Sequence, residues 1–326
     1  NDKWNVIFGL RYSWDDKSFT WQNPPNTLNA IRPGTANLVF TPVPGYEEAV
    51  TGTLRASDDW SDLTGRAVVR YQINDAAQTF LSYSTGYKSG GFDSLEPATS
   101  DNPLEPEETT NYEWGIKGDF FNRRLVTEFA LYYMEIDGRQ RSVYSKPPGQ
   151  ANATPIVING DQEFTGAEII LNWLITDTMQ LGFLTTWRDE ESTWEPFYNA
   201  AGELVVDTTS NTADLDYTFT FDWYPQISKG RLDLRAEYIF YENSILDDPT
   251  IIHPDVKGYG EDRELLNARA AWTTDDGKWT FGIWGKNLLD NEVTSGVDNL
   301  TLASFGTPFV RIEPPRTWGI EAAYNF

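Results

Sequence analysis

Residues that commonly carry out catalysis are scarce in this sequence of 326 residues. It contains no cysteine, which excludes a thiol nucleophile, a disulfide and a cysteine-ligated zinc site. The single histidine, His253, lies in the proline-flanked segment Ile251–Asp255, where an exposed loop histidine is expected rather than a catalytic base. A hydrolase built on a membrane barrel needs serine or aspartate paired with histidine at the strand rim, which His253 fits poorly. We therefore predict that the protein is not an enzyme and has no catalytic residues and no cofactor.

Carboxylates form three clusters, at Asp93–Glu108, Asp189–Glu195 and Asp247–Asp262. Carboxylate oxygens suit a hard cation such as calcium, but none of the clusters has the ligand spacing of an EF-hand loop. Solvated loop charge is the preferred interpretation, so no metal site is predicted. The 25 Lys and Arg residues against 49 Asp and Glu give a formal net charge of −24, which argues against nucleic acid as a partner.

Aromatic residues are abundant, with 13 Trp, 16 Tyr and 18 Phe, or 14% of the chain. Their ring faces suit sugars, catecholates and other flat ligands equally well. We predict that the aromatic residues in long connections contact a small-molecule substrate. The predicted substrate-binding residues are Trp21, Trp194, Phe197, Tyr198, Tyr259 and Phe305.

The elements that position these loops are indicated by alternation of apolar and polar residues. In Trp4–Trp14 every even position is apolar or aromatic, and the same period of two recurs in Asp214–Trp223, Arg231–Tyr241 and Thr317–Phe326. This period is typical of β-strands, whereas no run reaches the roughly 20 apolar residues of a membrane-spanning helix. About twelve strands are predicted, with starts near Trp4, Leu63, Thr79, Asn111, Leu125, Thr165, Gln180, Asp214, Arg231, Leu265, Lys278 and Thr317.

Short and long connections alternate along the chain, as in an up-and-down membrane barrel with short turns at one rim and long loops at the other. Asn122–Arg124 and Thr274–Gly277 are short, whereas Trp21–Asp62 and Asp137–Phe164 are long. The alternation alone also allows a soluble β-sandwich. Strands of about 9–11 residues with aromatic ends favour an all-β, antiparallel transmembrane β-barrel.

Several motifs resemble the C-terminal part of a TonB-dependent outer-membrane receptor. Phe80–Phe92 is similar to the family strand ending "Y-S-x-G-(Y/F)-K-S-G-G-F", and Trp284–Asp290 is similar to its "N-L-x-D" motif. Further matches in family order are Leu104–Glu107, Asn111–Lys117, Phe164–Glu168 and Pro315–Gly319. Each motif alone is weak, whereas the ordered set from about residue 60 to the end is specific.

The resemblance implies a 22-stranded barrel, an N-terminal plug domain and energy from the TonB complex. Residues 1–326 would then be the C-terminal part of the barrel, with the plug and the N-terminal strands absent. A second chain would complete the barrel, or the chain would close as a smaller one, because open sheet edges in lipid leave N–H and C=O groups unsatisfied. The last residue, Phe326, would belong to the signal read by the barrel-assembly machinery.

The resemblance further implies an outer-membrane protein, in contact with lipid, that takes up a scarce small-molecule substrate by active transport. A ferric siderophore is the first expectation. Two alternatives remain open at this point: a passive porin or channel of about twelve strands, and a soluble carbohydrate-binding β-protein.

Overall fold

The computed structural model describes residues 3–22, 53–93, 103–149, 154–199, 202–206, 210–242, 262–292, 294–298 and 309–326. These residues form strands, turns and irregular segments, and none of them is helical, so no helix in the described part could cross a membrane.

Twelve long strands lie side by side in chain order in one antiparallel sheet, to which a short thirteenth strand is added. The twelve are β1 (Trp4–Gln22), β2 (Thr53–Asn74), β3 (Ala77–Lys88), β4 (Glu107–Phe120), β5 (Leu125–Asp137), β8 (Gly160–Thr176), β9 (Met179–Trp194), β12 (Ser210–Trp223), β14 (Gly230–Tyr241), β15 (Arg263–Thr274), β16 (Trp279–Lys286) and β19 (Thr317–Tyr324). The short strands are β6 (Arg141–Ser145), β7 (Thr154–Ile158), β10 (Phe197–Tyr198), β11 (Leu204–Val205), β13 (Gln226–Ile227), β17 (Thr294–Asp298) and β18 (Phe309–Ile312).

All twelve predicted strands are confirmed, and the main error is at the start of β2. It begins at Thr53 rather than near Leu63, because the ladder with β1 continues without interruption to the pair Gln22↔Thr53. The predicted long connection Trp21–Asp62 is therefore wrong over its last ten residues. The predicted connection Asp137–Phe164 likewise contains a hairpin, β6–β7, and the first residues of β8.

The strand registers place the apolar side chains of neighbouring strands on one face of the sheet. Successive cross-strand partners form a row that crosses eight strands without a polar residue. The row is Val6, Val69, Leu81, Trp114, Leu131, Ala167, Trp187 and Leu215. The adjacent row, on the opposite face, includes Arg70, Glu168 and Asp216. We call the two sides the apolar face and the polar face.

No second layer of described protein covers the apolar face. Leu131 and Trp187 are each 42% exposed although their strands have neighbours on both sides, and Ile283 is 62% exposed. A soluble sandwich would bury such residues between its two sheets. The exposed apolar face therefore argues against the soluble alternative and is typical of a barrel that contacts lipid.

Short turns close the strands at one end of the sheet. In the β4–β5 turn three consecutive residues, Phe121, Asn122 and Arg123, have φ values of 53°, 57° and 65°. In the β15–β16 turn Gly277 has a φ of 68°, where a residue without a Cβ is favoured. At the two edges, β1 pairs with β2 and β19 pairs with β16, and the described strands do not close the sheet on itself.

Candidate functional site

Two short hairpins, β6–β7 and β10–β11, enclose a small hydrophobic cluster beyond the loop-side ends of the long strands. We call this cluster and its two hairpins the loop platform. Its buried members are Val143, Ile158, Trp194 and Phe197, and Ile156 and Val205 pack against them. In the described part of the chain, the platform packs loop residues that are far apart in the sequence into one hydrophobic unit.

The loop platform contains three of the residues predicted to bind substrate. Trp194 and Phe197 are each only 5% exposed, and the Arg141 guanidinium lies 4.9 Å from the Trp194 ring centroid. The Trp194 Nε1–H donates to Ser192 Oγ at 3.3 Å. Tyr198 is half-buried, and its carbonyl accepts a hydrogen bond from the Lys146 backbone N–H at 3.3 Å.

For the other three predicted binding residues, the side chains lie outside the described part of the structure. Trp21 ends β1 next to Gln22, and its side chain lies outside the description. Tyr259 and Phe305 also lie outside the described residues. Substrate contact by all six aromatic residues remains a prediction. Phe326 is fully exposed, with its ring centroid 5.2 Å from that of Tyr324.

Asn159 joins the loop platform to two neighbouring connections. It is 5% exposed, and its Nδ2 donates to the carbonyls of Gly138 at 2.6 Å and Glu105 at 3.3 Å. Its Oδ1 accepts from the Glu105 backbone N–H at 3.2 Å. Its carbonyl accepts from the Glu195 N–H at 3.1 Å. Sequence reasoning missed this residue, because a single asparagine in a polar loop gives no periodic signal.

Gln140 makes a second connection between the same loops. Its Nε2 donates to the carbonyls of Ser89 at 3.2 Å and Glu105 at 2.9 Å. Its backbone N–H donates to Glu107 Oε1 at 2.8 Å, and the same carboxylate oxygen lies 2.6 Å from Lys88 Nζ. The loops after β3 and β5 are thereby held together by backbone and side-chain bonds, which fixes the position of the platform.

A polar hollow of about 680 Å³ opens on the polar face, and Arg139 in its wall precedes β6 of the loop platform by two residues. This volume is within the range of small-molecule sites, about 300–1,000 Å³. Its walls carry carboxylates, arginines and hydrogen-bonding side chains. Residues that line it include Asn111, Glu113, Tyr132, Arg139, Glu168 and Arg188. The hollow can therefore hydrogen-bond a polar solute and offers groups of both charges to it, two arginines and two glutamates.

The two arginines of the polar hollow are held in place by neighbours. Arg188 Nη2 lies 2.6 Å from Asp214 Oδ2, and its guanidinium lies 5.8 Å from the Phe164 ring centroid. Arg139 donates to Gln162 Oε1, and Gln162 Nε2 donates to Glu190 Oε1 at 2.8 Å. Because both guanidinium groups are already oriented, a bound anion would require little further ordering of these side chains.

Carboxylates gather where β5 and β8 leave the sheet at the loop side. Glu135 and Glu163 are cross-strand partners, and both lie within hydrogen-bond distance of the Tyr133 hydroxyl, at 2.6 and 3.1 Å. Partial burial of the Asp137 carboxylate, followed by the charges of Asp161, Glu135 and Glu163, raises the pKa of Asp137. Within the described ranges, no group of three or more acidic or histidine side chains is arranged to hold a metal ion.

Comparison with known proteins places these features in a family. The family model for the TonB dependent receptor-like β-barrel matches residues 1–288. The ferripyoverdine receptor of Pseudomonas aeruginosa is 28% identical over 163 residues, which are 45% of this chain and 19% of that receptor. The chain therefore spans a small part of this relative.

Solved receptors show the same fold. The ferric yersiniabactin uptake receptor FyuA of Yersinia pestis matches with a TM-score of 0.66 and 14% identity, over 100% of this chain and 44% of that one. The siderophore receptor PiuA of Acinetobacter baumannii matches with a TM-score of 0.64 and 15% identity, over 99% and 40%. Both chains are more than twice the length that is matched.

Proposed function

Because this chain belongs to the TonB-dependent receptor family, as part of its outer-membrane β-barrel, we propose that it serves active uptake of a scarce substrate with energy delivered through TonB. In this proposal, as in the prediction from the sequence, residues 1–326 are the C-terminal part of the barrel. A plug domain and about ten further strands complete the receptor and give the family's 22 strands.

A ferric siderophore is the proposed substrate. The similar proteins are named for ferripyoverdine, ferric yersiniabactin and siderophore uptake, which supports this class over others. A ferric chelate presents oxygen ligands and flat organic groups, for which arginine and aromatic side chains are suitable partners. Both kinds of side chain occur in the loop platform and in the polar hollow.

The observation that carries the proposal is the position of the polar hollow beside the loop platform. The platform, packed around the buried rings of Trp194 and Phe197, forms part of the mouth, and the hollow contributes Arg139 and Arg188 at the entrance to the lumen. A substrate captured at the mouth would next meet these two cations. This order suits a receptor that binds its ligand before energy is used to transport it.

Three further partners belong to the proposal. The open edges of β1 and β19 require neighbouring strands, because each unsatisfied backbone group in lipid costs several kcal/mol. These strands come from the same polypeptide or from a second chain. TonB contacts the receptor through the plug, and the barrel-assembly machinery recognises the C-terminal segment that ends at Phe326.

Uptake of radiolabelled iron tests the function. Cells that lack the receptor are complemented with the full-length gene and given a panel of ferric siderophores, with and without TonB. We expect uptake of one siderophore class that requires both the receptor and TonB, and that falls when Arg139 and Arg188 are changed to Gln. Uptake that continues without TonB would support the passive channel instead.

A further inference from the structure

The apolar face contains a groove that a flat lipid-facing surface would not have. Its volume is about 310 Å³, and it runs across six strands, from β5 to β15. We call it the lipid groove. Residues that define it include Leu125, Leu181, Phe183, Phe219, Ala236 and Leu266.

A change from large to small side chains creates the lipid groove. The cross-strand pairs Leu181↔Phe221, Phe221↔Ala236 and Ala236↔Ala268 form one row, so two alanines follow two large residues. The neighbouring row keeps large residues, and the Phe183 and Phe219 rings stack in it at a centroid distance of 4.5 Å. The groove therefore has aromatic walls and a floor formed in part by Ala236.

The position of the lipid groove decides the chemistry of its occupant. It is continuous with the exposed apolar face, which lies in the hydrocarbon of the outer membrane in this family. Water would find few polar partners among its lining side chains. A lipid acyl chain can fill it and gain contacts with the aromatic walls.

One end of the lipid groove lies at the rim of short turns, which faces the periplasm in outer-membrane barrels. Leu125 lines this end and directly follows Arg123 and Arg124. The Arg123 side chain is 86% exposed, with its Nε 3.9 Å from Asp119. Arg124 Nη1 lies 2.9 Å from Asp177. The rim thus offers two guanidinium groups and two carboxylates beside the groove.

This arrangement of opposite charges complements a headgroup that itself carries both signs. Arginine binds a phosphate group in a bidentate manner, and a carboxylate accepts hydrogen bonds from a primary ammonium group. We propose that the lipid groove and the Arg123–Arg124 turn bind one phosphatidylethanolamine molecule of the periplasmic leaflet. Its phosphate lies at Arg123, its ammonium lies at the carboxylates, and one acyl chain lies in the groove.

Native mass spectrometry of the full-length receptor, purified from outer membranes in mild detergent and titrated with defined lipids, tests the proposal. Ala236→Phe fills the groove and keeps the face apolar. Ala67→Phe is the matched control, because Ala67 lies on the same face outside the groove. We expect retention of phosphatidylethanolamine to fall about tenfold in A236F, which corresponds to the lost burial of about two methylene groups, and to be unchanged in A67F.

The headgroup is tested separately. Arg123→Gln should lower retention of every phospholipid, and Lys278→Gln, at the same rim, is the control of equal charge change. Asp177→Asn releases Arg124 from its ion pair, so the preference should shift from phosphatidylethanolamine towards phosphatidylglycerol. Correct folding is verified by heat-modifiable migration in gels.

Two outcomes would overturn the proposal. One is equal lipid retention in A236F and A67F, which would make the bound lipid part of the general annulus. The other is a wild-type receptor that retains phosphatidylethanolamine and phosphatidylcholine equally, since the second has no ammonium hydrogens to donate. Neither result concerns iron uptake, so this inference and the proposed function stand or fall separately.

Discussion

At the scale of single residues, Asn159 connects three loops of the described structure. Its buried side chain forms hydrogen bonds with the loops that contain Glu105 and Gly138, and its backbone carbonyl accepts a hydrogen bond from the loop that contains Glu195. Hydrophobic contacts alone would leave the loop platform able to shift on the strand ends below it. The hydrogen bonds of Asn159 remove that freedom, and the mouth of the proposed receptor is thereby ordered before substrate arrives.

Replacing Asn159 by Ala should loosen the loop platform without preventing barrel assembly. The change leaves the Glu105 backbone N–H and the Gly138 carbonyl without this partner, at an expected cost of about 1–3 kcal/mol. Hydrogen exchange of the amides in Arg141–Ser145 should become faster. Asn325→Ala, which removes a bond at the opposite end of the sheet, is the control. Unchanged exchange in N159A would show that the cluster holds the platform alone.

The carboxyl of Asp137 should make stability depend on pH. Its pKa is raised in the folded protein, so the ionised form is less favourable there than in the unfolded chain. This destabilisation is present at neutral pH and disappears as the pH falls through the raised pKa. Asp137→Asn should therefore raise the midpoint of thermal unfolding at pH 7. At a pH below 3.8, the ordinary value, the variant and wild type should converge. A difference that persists in acid would contradict this explanation.

At the scale of elements, the polar and apolar faces decide which substitutions a strand accepts. Leu131 and Ala130 are consecutive in β5, so their side chains lie on opposite faces. Leu131→Arg places a charge towards lipid and should destabilise the barrel by about 2–4 kcal/mol near the bilayer midplane. Ala130→Arg places the same charge in the polar hollow and should be tolerated. The amount of heat-modifiable receptor in outer membranes measures both, and equal loss would mean that the faces are assigned wrongly.

Most of the sheet could be predicted from the sequence because lipid on one side and a polar environment on the other enforce alternation. Beyond the bilayer both faces meet water, so the signal disappears. The paired residues Ser57–Asp59 and Asp16–Ser18 are polar on both faces, which explains why the first part of β2 was missed.

The loop platform was only partly predictable for the same reason. Trp194 and Phe197 were selected for their rings, but Val143 and Ile158, which pack against them, stand in a segment without a recognisable period. The bonds between Asn159 and Glu105 join residues 54 positions apart, and one sequence gives no sign of such a pairing.

At the scale of the whole molecule, twelve neighbouring strands with two open edges form part of a barrel wall. The C-terminal edge is the one that the family's assembly machinery is proposed to recognise. Phe326→Ala should lower the amount of folded receptor in the outer membrane, whereas Asn325→Ala should leave it close to that of wild type. Separation of membrane fractions followed by gel migration measures this difference. Equal amounts would remove Phe326 from the assembly signal.

The length of the first hairpin, β1–β2, determines how far it extends beyond the membrane on the outer side of the cell. β1 pairs with β2 over 19 residues, from Trp4 to Gln22, or about 60 Å of strand. At a tilt of about 40° this rises to roughly 45 Å, whereas the apolar band of an outer-membrane barrel is about 25 Å tall. The hairpin therefore extends roughly 20 Å beyond the apolar band. An antibody directed at the strand around Lys17 would have a firm, extended epitope on living cells.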